Sequence, residues 1–69
     1  MNTDVVYGEA SDFFAPVRGT LADDLGITAS TTDDELNALA AAEFEMARDQ
    51  GQIVSGIFSY LCEIRDSLR

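Results

Sequence analysis

Thirteen acidic residues against four arginines, in a 69-residue chain with no lysine and no histidine, give a formal net charge of −9. Such a charge excludes nucleic acid and anionic membrane as direct partners, because both would repel it, and favours a protein with a basic surface. Apolar residues still make up 46% of the chain, too many for a disordered acidic tail, so the expectation is one small acidic domain spanning residues 1–69.

A domain of this size buries only about 60% of its unfolded surface and needs extra core, a staple or a partner. Cys62 is the single cysteine, so no internal disulfide is possible, and zinc lacks its usual ligands. Self-association is therefore expected, as a homodimer. The free thiol, a start without positive charge and the lack of a long apolar run predict a cytoplasmic protein, in the host cytoplasm if virus-encoded, with no signal peptide or membrane span. A saline habitat would select the same acidity for solubility.

In chain order, Val6, Ala10, Phe14, Val17, Leu21 and Leu25 recur at intervals of three or four and predict a helix over 4–25. Pro16 must kink it or restart it, with Ser11 as a candidate cap. The "VVY" at 5–7 could form a strand, but no second strand-like run is evident to pair with it. Gly26 before Ile27 reads as a left-handed helix stop, and "ITASTT" as the following loop. Asp23 and Asp24 then fall in the last turn of the first helix, where the dipole disfavours acids, so they lack a local reason to be there.

Thr32 and Glu35 have the spacing of a capping box, with Asp33 and Asp34 in the first turn of the helix it opens. Beyond Leu36, the columns Leu39, Met46, Ile53, Tyr60 and Ala40, Ala47, Val54, Leu61, Leu68 keep a heptad phase, extended by Ile57 and Ile64. The phase predicts one helix from Asp33 to Leu68, bent at Gly51. In the competing reading "DQGQ" is a tight turn between two shorter helices. The expected fold class is all-α: a helical hairpin with one long C-terminal helix, dimerising into a four-helix arrangement.

Little chemistry is written into the chain. A calcium loop counted from Asp24 puts Glu35 at position 12 but fails at positions 3, 6 and 8, held by Gly26, Ala29 and Thr31. Ser67 in "DSL" resembles an acyl-carrier attachment site but lies at the very end of the chain. No histidine, lysine or phosphate-binding loop is present, and Cys62 reads as a small core residue, so neither enzyme activity nor any cofactor or metal is expected.

On a continuous helix, Glu43 and Arg65 each lie eleven residues from Val54 and point into the apolar side. An antiparallel pair of helices crossing at Val54 would join Glu43 of one copy to Arg65 of the other, with Ile57, Leu61 and Ile64 in the seam. Outside that seam, Asp23, Asp24, Glu45, Asp49, Glu63 and Asp66 are the candidate partner-binding residues, since carboxylates can stand in for phosphates against arginine and lysine. The expected function is a non-enzymatic inhibitor that blocks a basic, nucleic-acid-binding protein. This is the type of DNA mimics and of phage-encoded blockers such as anti-CRISPR proteins, although no motif narrows it to a family. The alternative is a homodimeric adaptor or regulatory subunit that binds its partner through an apolar helix face carrying Phe13, Phe14, Phe44, Phe58 and Tyr60.

Overall fold

The computed structural model describes residues 5–69, and two short parallel strands packed with helices replace the expected all-α hairpin. Strand β1 (Val6–Glu9) leads into a single helical turn, α1 (Ala10–Phe13), a 3-10 turn at Ala15–Val17 and the short helix α2 (Leu21–Leu25). Helix α3 (Asp33–Asp49), strand β2 (Gln52–Ser55) and helix α4 (Ile57–Ser67) complete the chain.

The single N-terminal helix expected over 4–25 breaks up for reasons visible in its residues; its start at Asp4 lies outside the described residues. Pro16, at the start of the 3-10 turn, has no N–H to continue the α1 ladder. Ser11 is not a cap: Glu9 stands at the N-cap of α1, without a side-chain bond. Gly26 does stop α2, with φ at 71°, and Ile27 donates its N–H to the Ala22 carbonyl at 2.8 Å while burying its side chain.

The long helix expected over Asp33–Leu68 is interrupted by a strand. Its start is as expected: Thr32 accepts from the Glu35 N–H at 3.2 Å, and Glu35 accepts from the Thr32 N–H at 2.8 Å. After Asp49 the chain leaves the helix through Gly51 (φ 81°) and re-enters one through Gly56 (φ 75°). Left-handed backbone at both points suits glycine, and the β-branched Ile53 and Val54 between them suit a strand. β2 is the partner that "VVY" lacked in sequence, in parallel register: Val6 with Gln52, Tyr7 with Ile53, Gly8 with Val54 and Glu9 with Ser55.

The core lies where α3, β2 and α4 meet, centred on the fully buried Leu36 and Leu61. Ala40, Ala47, Val54 and Leu61 are all buried, so one heptad column marks core although no single helix carries it. Met46 and Leu68, also on the expected apolar columns, are exposed. Ala10, Phe14 and Leu21 bring the N-terminal half into the same cluster. Phe14 stacks on Tyr60 with ring centroids 5.6 Å apart, Phe13 meets Phe14 edge-on, and the Arg18 guanidinium lies 5.3 Å from the Tyr60 ring centroid.

Candidate functional site

All six carboxylates singled out in the sequence are exposed, on three separate helices: Asp23 and Asp24 on α2, Glu45 and Asp49 on α3, Glu63 and Asp66 on α4. Two of them face arginines of their own chain, Glu45 with Arg48 at 3.6 Å and Asp66 with Arg65 at 3.2 Å and Arg69 at 3.8 Å. Asp23 and Asp24 do have a local reason to be where they are. Because the N-terminal helix is broken, they occupy the first turn of α2, where the dipole favours acids, and Asp24 accepts from the Thr20 hydroxyl at 3.3 Å.

The helix-crossing dimer seam does not survive the break at β2. Val54, Ile57, Leu61 and Ile64 are buried within the single chain, and Glu43, half-buried, belongs to α3 while Arg65 belongs to α4. Arg65 is already engaged: its side chain, 11% exposed, donates to the Thr31 carbonyl at 3.2 Å and pairs with Asp33 and Asp66. Equal spacing of Glu43 and Arg65 about Val54 has geometric meaning only on a continuous helix. The contacts of Arg65 instead tie α4 to the loop before α3, and the hydrogen bond to Asp33 foremost raises the guanidinium pKa from its ordinary value. Glu35 is shifted the other way: the backbone N–H of Thr32, then its hydroxyl, hold the carboxyl below its ordinary pKa.

A further feature lies at β1, whose "VVY" lacked a visible partner in sequence. This strand is exposed along its whole length, with Val6 and Tyr7 at 60% and 77% exposure and Val5, just before it, at 41%. Val6 donates its N–H to the Gly51 carbonyl at 3.0 Å, which fixes the direction of the ladder. By the alternation of a strand, the N–H groups of Tyr7 and Glu9 and the C=O of Tyr7 point away from β2.

Two hollows adjoin the strand pair. One, of about 180 Å³, lies over Val6, Gly8, Gln52 and Val54 with Phe13 beside them, and takes in Glu9 and Asp12. The other, of about 160 Å³, sits at the C-terminal ends of both strands among Glu9, Ser11, Ser55, Ser59, Tyr60 and Glu63. Carboxylates and hydroxyls line it, without an arginine, which suits an ammonium or guanidinium group. Tyr60 is buried, and its hydroxyl has no hydrogen-bond partner among the described residues. Of the residues around these hollows, Glu63 stands among the acidic partner-binding candidates taken from sequence, and Phe13 and Tyr60 on the apolar face of the alternative reading. The signal for the rest was "VVYGE" itself, an apolar β-branched run ending in acid.

Cys62 is half-buried and packs against the core. Among the described residues, no helix is long and apolar enough to cross a membrane, and no three potential ligands are grouped to hold a metal ion. The chain matches no protein family model, and no curated protein or solved structure matches it significantly.

Proposed function

We propose that the protein is a non-enzymatic acidic inhibitor that binds the basic, nucleic-acid-binding surface of another protein and blocks it. One observation carries the reading: all four arginines lie against their own chain, while most carboxylates lie exposed without an ion-pair partner. Arg18 covers Tyr60, Arg48 meets Glu45, Arg65 meets Asp33 and Asp66, and Arg69 meets Asp66. Glu9, Asp12, Asp23, Asp34, Asp49 and Glu63 are exposed and form no ion pair among the described residues. A surface of this kind presents acceptors to arginine and lysine much as a phosphate backbone does, and attracts its partner over distances set by ionic strength.

The test is capture from a lysate of the source organism, or of its host, on immobilised protein eluted with rising salt. The captured protein is then purified and its nucleic-acid complex titrated with this chain. Release at moderate salt, followed by displacement of the nucleic acid, supports inhibition by occupation of the basic surface. Retention through high salt without displacement sinks it in favour of an adaptor held by apolar contacts, because apolar burial is not screened.

A further inference from the structure

We propose that the outer edge of β1 is where the basic partner docks, by adding an extended arginine- or lysine-bearing segment as a strand beside Val6–Glu9. This docking rests on the acidic-inhibitor reading and supplies its mode of attachment. A two-stranded sheet is marginal alone, and parallel strands are ordinarily covered on both faces; among the described residues β1 is covered on neither. Its outward N–H and C=O groups are a template for another strand, and no proline, bulge or charge blunts it before Glu9. Tyr7, the most exposed of the large apolar residues, supplies the aromatic contact that such interfaces favour.

Charge complementarity selects the occupant. The hollow beside β1 has apolar walls from Val6, Phe13 and Val54 with carboxylates at Glu9 and Asp12, and the hollow at the strand ends adds Glu63. A segment alternating apolar and basic side chains would place the first kind beside Val6 and Phe13 and the second against the acids. A second copy of this chain would bring another net charge of −9 to the same acidic edge.

The probe is a labelled synthetic hexapeptide of alternating arginine and valine, compared with the same peptide N-methylated at every residue, which keeps its charge but has no N–H left on either edge to form the strand ladder. The unmethylated peptide is expected to bind about ten-fold more tightly, the effect of losing two or so hydrogen bonds, and to slow exchange of the Tyr7 and Glu9 amides. Tyr7→Pro puts its ring in place of an outward N–H, which keeps an incoming strand from closing on the edge without touching the ladder to β2, and should shrink the difference between the peptides. Should that variant fail to fold by circular dichroism, the two peptides on the native chain decide the matter.

Equal binding of the two peptides, falling steeply with salt, overturns strand addition and leaves the acidic-surface reading intact. Binding of neither also overturns it, as does a dimer in sedimentation whose Tyr7 and Glu9 amides are protected without peptide, which makes the occupant a second copy. Failure of the inhibitor reading itself shows separately, in the lysate capture and displacement.

Discussion

The two strands share a sheet but are held by different forces. β2 is held from both ends, by glycines that close α3 and open α4, and from one face, where Val54 is only 3% exposed. β1 is tied down at its C-terminal end, where the buried Ala10 follows it, but on neither face: Val6 and Tyr7 are 60% and 77% exposed, and the strand pairs along its length only with β2 among the described residues. Burial of a valine contributes about 1.5–3 kcal/mol, so β2 is stabilised by packing and β1 by little beyond backbone pairing. An element of that kind opens at low local cost, as binding segments do.

Single truncations should expose this difference most strongly. Val54→Ala is expected to cost about 2 kcal/mol, a large share of the stability of so small a domain, whereas Val6→Ala should stay within about 0.5 kcal/mol. Urea denaturation of the two variants measures both, and equal losses would mean that β1 is packed as firmly as β2. The glycines sharpen the same contrast. A Cβ at Gly56 would meet nothing within 4 Å, but its φ of 75° is left-handed, so Gly56→Ala should cost about 1–2 kcal/mol through backbone conformation alone. Gly8 also has open space around it and is not among the positive-φ glycines. Gly8→Ala should therefore leave stability unchanged or raise it by about 0.5 kcal/mol, while narrowing the hollow over Val54 and weakening the arginine–valine peptide.

The same asymmetry decides what could be read from sequence. The capping box at Thr32 and the stop at Gly26 are legible because each is a local pattern whose partners lie within five residues. β2 is not, because its heptad columns continue unbroken: Ala47, Val54 and Leu61 are all buried, and burial at every seventh residue does not say what the backbone does between them. The telling signal was the pair Gly51 and Gly56 on either side of the β-branched Ile53 and Val54, a strand bracketed by two left-handed turns. Missing it removed the partner for "VVY" and forced both halves into helices. The exposed carboxylates follow from composition; the open edge of β1 depends on a pairing across more than forty residues, which no local pattern encodes.

Loss of the capping box tests whether β1 opens independently of the rest. Thr32→Ala should cost about 1 kcal/mol, seen as faster exchange of the core amides of α3 and α4, while the β1 amides, which exchange by local opening, keep their rates. A pH titration reads the other half of the box. Glu35 has its pKa lowered in the folded state by Thr32, so its contribution is complete above the ordinary glutamate value and is lost as the pH falls through the lower folded value. Glu35→Gln should flatten the acid limb of the stability curve, and a limb unchanged by that substitution would mean that the pairing is not kept in solution.

The smallest effect has the most informative sign. Tyr60 joins the two regions, since its ring stacks on Phe14 behind α1 while its own helix, α4, packs on α3. Its buried hydroxyl has no partner among the described residues, and an unsatisfied buried donor is a cost that Tyr60→Phe removes while keeping the stack. A gain of up to about 1 kcal/mol in urea denaturation is expected. A loss would show that the hydroxyl is bonded in solution, and Tyr60 also lines the hollow where both strands end, the place that Glu9 and Glu63 make attractive to a cation. The stability of α4 would then depend on what occupies the end of the sheet, and the exposed strand would be energetically coupled to the core it otherwise only borders.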